Sequence, residues 1–416
     1  MFIQSIKQAF YLLKENRLIS IISIVGTALA IAMIMIIVLI LRVETANHSP
    51  ENKRDRSLYV KFMSTYWGED TEWTANGSLS VKTAKECFKE LTIPEAVCIK
   101  SRIDKYLAAS PDNKLMDIDI MNTDEAFWKI FDFSFIDGKP FDQSDVESGI
   151  PKAVITESVS RKLFNTSEAA GRMIRINYSN YTVAGVVKDI SKIAPSAYAQ
   201  VWVPYSTTGM ASISSANDVL GMFEVVILAR SAKDFDAIQE EAERYRQKYN
   251  SQLNNQTVIY RGQPDNQFSH NHRNSASGSV NTVLEVSKYL LIIFILLLVP
   301  AINLSGITLS RMKKRFSEIG LRKAFGATQK ELIMQVLTES FLFTVIGGVL
   351  GLIISWLAAF ALKDLLFENS SLSLGMIFDP LLFVGAFFFC LMMNLFSAGI
   401  PAWRASRVNI ITAINA

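Results

Sequence analysis

The hydrophobic pattern begins with a run from Leu18 to Leu41 that contains no charged residue. Three more runs have comparable length: Tyr289 to Leu309, broken only by polar Asn303, Ser305 and Thr308; Leu332 to Leu362, with Glu339 near its start; and Leu381 to Ile400. A bilayer core takes about 20 apolar residues of helix, so each run predicts a membrane crossing. Between the first two lies the polar, aromatic-rich stretch from Arg42 to Lys288, which predicts a folded domain outside the bilayer. The expected fold is four transmembrane helices plus a large α+β extracytoplasmic domain.

The first run is longer than the apolar core of about 7–15 residues in a signal peptide, and Arg42-Val-Glu-Thr-Ala-Asn is a weak cleavage site. It reads as a retained anchor. Ahead of it, Phe2, Ile3, Ile6, Phe10 and Leu13 recur at helical spacing with Lys7, Lys14 and Arg17 off the stripe. Residues 1–17 therefore predict an amphipathic helix on the membrane surface.

In the outer stretch, Leu79 to Leu91 reads as a short helix, and Ala96 to Ile103 and Phe223 to Arg230 as strands. Ser231-x-x-Asp234 predicts a cap for a helix with Phe235, Ile238, Ala242, Tyr245 and Tyr249 on one stripe, and Thr257 to Arg261 the next strand. Two lobes follow: a membrane-proximal α/β lobe over about 57–103 and 220–262, and an inserted, mostly β lobe over about 104–215. The Asn-, Ser- and His-rich residues 269–279 read as a linker back to the bilayer. The remaining segments are 18–42, 286–309, 328–362 and 381–400 as crossings, the outer domain 43–285, the cytoplasmic segment 310–327, a short outer loop 363–380 and a tail 401–416.

Composition supports this division. Of 416 residues, 50% are hydrophobic and 19% charged, a mixture that fits a membrane part and a water-soluble part on one chain. The formal net charge of +3 is too small to imply nucleic acid. The placement of the basic residues sets orientation. Lys7, Lys14 and Arg17 precede crossing one; Arg311, Lys313, Lys314, Arg315, Arg322, Lys323 and Lys330 lie between crossings two and three; Arg404 and Arg407 follow crossing four. The loop after crossing three has Lys363 against Asp364, Glu368 and Asp379. Both termini and the basic loop are therefore expected in the cytoplasm.

That loop carries more pattern than topology needs. Met312, Phe316, Ile319 and Lys323 share one helical face, and Arg315, Glu318 and Arg322 another. Gly326 is placed to end the helix in the left-handed conformation, and Thr328 with Glu331 forms a T-x-x-E capping box for the next helix.

Candidate chemistry is sparse. There is no G-x-x-x-x-G-K-[ST] to cradle phosphates, no G-x-S-x-G elbow, and only three histidines. No catalytic site, metal or bound cofactor is expected on this chain. His270 and His272 lack nearby Cys or carboxylate partners. Cys87 and Cys98, eleven positions apart and both outside, are a candidate disulfide that the compartment permits but spacing does not decide. Cys390 reads as apolar filler. Glu339 is the only Asp, Glu, Lys, Arg or His in the four runs, read either as a hydrated structural group or as a proton relay. Pro300 should kink its helix.

The stretch Ser317-Glu-Ile-Gly-Leu-Arg-Lys-Ala-Phe-Gly-Ala-Thr, then Glu339-Ser340, resembles the cytoplasmic signature of the MacB/FtsX/LolC-type ABC permeases. Pro401-Ala-Trp-Arg-Ala-Ser-Arg-Val-Asn resembles that family's tail. Phe131-Asp-Phe-Ser-Phe-Ile-Asp-Gly-Lys-Pro-Phe, Pro151-Lys-Ala-Val-Ile-Thr-Glu-Ser, Ala170-Gly-Arg-Met-Ile-Arg-Ile and Tyr181-Thr-Val-Ala-Gly-Val-Val-Lys-Asp resemble its periplasmic motifs.

The resemblance implies an inner-membrane permease subunit that pairs with a second, identical or related permease and transmits force from a cytoplasmic ABC ATPase. ATP and Mg would sit on that partner, expected as a separate protein. The coupling helix would be about Arg311 to Phe325, with Glu318, Arg322 and Lys323 as polar contacts and Phe316, Ile319 and Leu321 packing; Arg315, Gly320 and Gly326 complete the site. Three readings are open: export or extraction of a lipoprotein, peptide or hydrophobic toxin, with a periplasmic adaptor and outer-membrane channel as further partners; regulation of an envelope enzyme such as a cell-wall hydrolase; and a membrane-tethered enzyme.

Overall fold

The computed structural model describes residues 17–68, 74–314, 321, 325, 328–367 and 380–406. The expected surface helix over 1–16, the outer loop 368–379 and the tail from 407 lie outside them. Helices of six residues or more are labelled α1 (Arg17–Thr45), α2 (Glu157–Phe164), α3 (Phe235–Gln252), α4 (Gln267–His272), α5 (Thr282–Lys314), α6 (Gln329–Phe367) and α7 (Pro380–Ser406).

Among the described residues three helices are long and apolar enough to span a bilayer: Ser20–Thr45, Gln329–Ala361 and Phe383–Ile400. The second apolar run lies within the 33-residue helix α5. The chain divides into two compact units. One is Glu44–Thr282, and the other is formed by the described parts of Met1–Val43, Val283–Leu366 and Leu372–Ala416.

In the helical unit, small residues decide the packing of α1 on α6. A Cβ on Gly347 would stand 2.8 Å from Thr27 Cβ, and one on Gly351 2.7 Å from the Ala28 carbonyl oxygen. The four-residue spacing puts both glycines on one face, where they let the backbones approach. Ser23, Thr27 and Ala28 of α1 are buried.

The other unit is built on β-structure. Strand Phe223–Leu228 is buried along its whole length, paired antiparallel with Ala96–Ser101 on one edge and Ser57–Val60 on the other. Its run Val225-Val226-Ile227-Leu228 suits a strand covered on both faces. Helix α3 opens on the expected capping box: Asp234 accepts from the Ser231 backbone N–H at 3.0 Å, and Ser231 Oγ from the Lys233 N–H at 3.3 Å. Ile238, Ala242 and Tyr249 are its buried stripe.

Strand Lys152–Thr156 leads through α2 to Ser179–Val187, which pairs parallel to it, as a helical crossover permits. The 14 strands form one connected hydrogen-bonded set. Their side chains form two apolar clusters. Leu58, Phe88, Phe223 and Ile238 are in the first, and Ile118, Ile155, Ile174 and Val183 in the second. The segment 104–215 feeds both, because Phe127 and Trp202 belong to the first cluster.

Several expectations are corrected. Of Leu79 to Leu91, only Val81–Ala84 is α-helical, followed by a wider π-type turn over Lys85–Lys89. The strands end at Ser101 and Leu228, and the last runs Gln256–Ile259. The stretch 269–279 is not a plain linker, since α4 takes its first residues and Arg273 is buried. Arg273 pairs with Asp265 and donates to the carbonyls of Gly278 at 2.7 Å and Arg261 at 3.1 Å. Cys87 and Cys98 are separate buried thiols, not a disulfide. Cys98 Sγ sits 3.4 Å from Thr123 Oγ1, whereas the Cys87 thiol faces Tyr260 and is pushed up to about 12 by burial.

Candidate functional site

The expected coupling residues Arg315, Phe316, Glu318, Ile319, Gly320, Arg322, Lys323 and Gly326 lie outside the described residues. Leu321 and Phe325 are described, both exposed, with the Phe325 N–H donating to the Leu321 carbonyl at 3.1 Å, one helical turn. The capping box that follows is formed. The Thr328 N–H donates to Glu331 Oε2 at 2.9 Å, and the Glu331 N–H to Thr328 Oγ1 at 3.3 Å.

The described site of most consequence is where α1 leaves its apolar run. The last carbonyls of a helix lack intrahelical donors. Here the Glu44 carbonyl accepts from Asn271 Nδ2 at 2.9 Å, Gln267 Nε2 at 3.1 Å and Arg54 Nη1 at 3.4 Å. Arg54 Nη1 also donates to the Ala46 carbonyl at 3.1 Å. A cation there suits the negative end of the helix dipole.

Each donor is placed by local structure. A short 3-10 turn, Arg54–Arg56, turns Arg54 inward while Arg56 reaches outward to Glu95. Asn266 caps α4 by accepting from the Ser269 N–H at 2.9 Å. Gln267 and Asn271 are then i and i+4 on one face of α4 and reach the same carbonyl.

Arg54 is 2% exposed and its ion-pair partner Glu51 is 1% exposed, with Nε donating to Glu51 Oε2 at 2.5 Å. Arg54 Nη2 donates to the Ile193 carbonyl at 2.7 Å, and Glu51 Oε1 accepts from the N–H groups of Ser196 and Ala197 at 2.8 and 2.9 Å. A buried pair is tolerable when its remaining donors and acceptors are matched in this way. One ion pair thus joins the exit of α1 to the 193–197 loop, and α4 joins the same exit to the segment before α5.

Beneath α4, His270 stacks on Tyr59 with ring centroids 4.3 Å apart. Burial, the largest cause, holds the imidazole down to about 3; Lys100, Lys61 and Arg273 add to this and Glu224 opposes it. Buried Glu224 accepts from Lys100 Nζ at 3.0 Å and Arg102 Nε at 2.9 Å. Burial would raise its carboxyl, but Lys100, His270 and Arg102 together hold it at about 2.

Chemically the arrangement fastens segments together, by hydrogen bonds, by the buried ion pairs Arg54–Glu51 and Lys100–Glu224, and by the His270–Tyr59 stack. Among the described residues no group of three His, Cys, Asp or Glu side chains could hold a metal ion. The sequence reading missed Glu51, Arg54, Gln267 and Asn271. The Asn266-x-x-Ser269 cap signal was present, but the acceptor shared by Arg54, Gln267 and Asn271, 223 residues before Gln267, leaves no local trace.

Residues 20–245 match the family model described as the MacB-like periplasmic core domain, and residues 290–410 match the FtsX-like permease C-terminal model. The chain is 26% identical over 298 residues to the macrolide export ATP-binding/permease protein MacB 1 of Yersinia pestis bv. Antiqua (strain Antiqua), covering 71% of this chain and 43% of the relative. It is 24% identical over 327 residues to the pyoverdine export ATP-binding/permease protein PvdT of Pseudomonas entomophila (strain L48), covering 77% and 46%. The chain spans about half the length of the curated relatives it matches. The crystal structure of the periplasmic region of MacB from Actinobacillus actinomycetemcomitans aligns with a TM-score of 0.35 at 14% identity, covering 52% of this chain and 92% of that one. With the periplasmic core model matching more than half its length and the permease model matching the helices that follow, the chain belongs to the MacB/FtsX family of ABC transporter permeases.

Proposed function

We propose that this permease is a force-transmitting subunit: it crosses the inner membrane four times, with both termini in the cytoplasm, and passes movement from an ABC ATPase to its periplasmic domain. The ATPase holds ATP and Mg and docks on Arg311 to Phe325, with Glu318, Arg322 and Lys323 as polar contacts. A second permease, identical or related, stands beside it. The periplasmic domain, worked as two lobes, drives export or extraction of a lipoprotein, peptide or hydrophobic toxin, with an adaptor and outer-membrane channel as further partners.

The observation that carries this reading is the convergence of Arg54, Gln267 and Asn271 on the Glu44 carbonyl. These bonds fasten the end of α1 to the 54–56 turn and to α4, so a displacement of that segment is passed on to Arg54, Gln267 and Asn271.

The test is the double variant Arg322→Glu, Lys323→Glu. It should fold and reach the membrane yet fail to co-purify with the cognate ATPase. Co-purification at the wild-type level with full stimulation of ATP hydrolysis overturns the reading. So does labelling, from outside intact cells, of a cysteine placed at Ser310.

A further inference from the structure

We infer that the periplasmic domain binds one phosphate group in its dianionic form, held by Lys61 and Arg102 beside the ring of Phe62. The sheet assembles the site. Lys61 follows Val60, which pairs with Val225; Glu224 precedes Val225 and pairs with Lys100 on the next strand. Glu224 accepts from Lys100 Nζ at 3.0 Å and, two residues further along that strand's exit, from Arg102 Nε at 2.9 Å. Gln263 clamps the turn that carries Lys61 and Phe62. Its Oε1 accepts from the Lys61 N–H at 2.8 Å and the Phe62 N–H at 3.2 Å, and its Nε2 donates to the Phe62 carbonyl at 2.6 Å. Lys61 Nζ then stands 5.5 Å, and Arg102 Cζ 4.8 Å, from the centre of the Phe62 ring. Attraction to the ring face holds both cations on one support.

Charge names the occupant. Among the described residues, Glu224 pairs with Lys100 and Arg102, Asp265 pairs with Arg273, and Lys61 has no carboxylate partner. Four cations thus share two carboxylates, which leaves two positive charges unmatched. Burial lowers the Lys61 ammonium; Glu224 opposes this, and the like charges of Arg102, Lys100 and Arg273 add to it. In the same cluster His270 Nδ1 is buried without a hydrogen-bond partner. Donors remain as well. Lys61 Nζ gives one proton to the Arg273 carbonyl at 3.2 Å, and among the described residues the Nη groups of half-exposed Arg102 have no acceptor. A guanidinium fork takes oxyanions in pairs of bonds, and an ammonium adds a point charge. A carboxylate would match one of the two charges. A phosphate monoester carries about −1.5 to −2 at neutral pH with three acceptor oxygens, and matches both. Arg273 lies two residues after Asn271, which bonds to the end of α1. Two sources therefore offer the group there: dissolved phosphate, and the monoester headgroup of phosphatidic acid. The site stands independently of the force-transmitting reading.

The experiment uses the full-length permease in phosphatidylcholine discs, dialysed to equilibrium against radiolabelled inorganic phosphate at neutral pH and fixed ionic strength. The wild type should bind phosphate saturably, one per chain. Lys61→Met with Arg102→Met should weaken binding at least ten-fold, the scale of one lost hydrogen bond to a charged group, with unchanged circular dichroism. Should that variant fail to fold, Lys61→Gln keeps the Arg102–Glu224 pair and must still weaken binding at least five-fold. Dimethyl phosphate, a monoanion, should compete at least ten-fold less well than inorganic phosphate. Discs containing phosphatidic acid then separate the sources. Loss of radiolabel with one phosphatidic acid retained per chain, weighed by native mass spectrometry, assigns the lipid headgroup; radiolabel bound as before assigns the dissolved ion. Absence of saturable binding of either, full binding in a folded variant, or equal competition by dimethyl phosphate would each overturn the inference.

Discussion

Asn271 donates from Nδ2 to the carbonyl of Glu44 at 2.9 Å, so the helix that precedes α5 is bonded directly to the end of α1. Gln267, one turn earlier, donates to the same oxygen. Helical continuity accounts for neither contact, because more than two hundred residues separate donor and acceptor.

Removing these donors should loosen the junction without unfolding the domain. Each neutral hydrogen bond contributes about 1 kcal/mol net. The double variant Gln267→Ala, Asn271→Ala should therefore keep its melting midpoint within a few degrees. Hydrogen exchange of the amides around residues 44–47 should rise at least ten-fold. Unchanged exchange there would show that the contact carries no tension.

Arg54→Ala should be far more damaging. It leaves Glu51 buried without its cation, and breaking such a pair typically costs about 3–5 kcal/mol. Arg54→Met with Glu51→Gln removes both charges and should recover more than half of that loss. Denaturant melts of the full chain measure both; equal destabilisation by the single and the double variant would mean that the charge pair is not the source.

Acid should weaken the periplasmic domain through His270. Its folded pKa, about 3, lies below its ordinary value of 6.5, so the unfolded chain binds the extra proton between those limits. Stability is then full above about pH 6.5 and falls as pH drops toward 3. Glu224, held at about 2 against an ordinary 4.5, loses its contribution as pH falls below 4.5 toward 2. Thermal melts at pH 7 and pH 5 isolate the histidine. His270→Phe keeps a ring against Tyr59 and should flatten the difference, and an unchanged pH slope in that variant would reject the assignment.

Gly351→Leu should separate α1 from α6. A Cβ there would already meet the Ala28 carbonyl oxygen at 2.7 Å and Ile31 Cβ at 3.0 Å, neither a flexible side-chain end. The melting midpoint of the full chain in mild detergent should fall by about 5 °C in the variant, as overpacking of about 1–3 kcal/mol implies. An unchanged midpoint would show that the glycines do not set the approach.

The permease character was legible because a bilayer imposes a one-dimensional rule: a run such as Leu18 to Leu41 must be apolar along its length whatever it packs against. Caps were legible for a similar reason. Ser231 with Asp234, and Thr328 with Glu331, bond across three residues, so both partners lie in one short window. The strand Val225 to Leu228 was equally plain, being apolar on every position.

Tertiary structure decided the rest, wherever a polar residue's meaning depends on a distant partner. Arg273 in an Asn- and Ser-rich stretch looks like solvated linker until Asp265 and the carbonyls of Gly278 and Arg261 close around it. The spacing of Cys87 and Cys98 does not decide a bond, and the π-type turn and the strand give each thiol its own surroundings. Glu51, Arg54, Gln267 and Asn271 are ordinary surface residue types by composition. They become a joint only because the fold returns the chain to the end of α1, where carbonyls left over by the helix need donors. Local chemistry can be written in consecutive residues, whereas a joint between distant segments exists only once the backbone has brought them together.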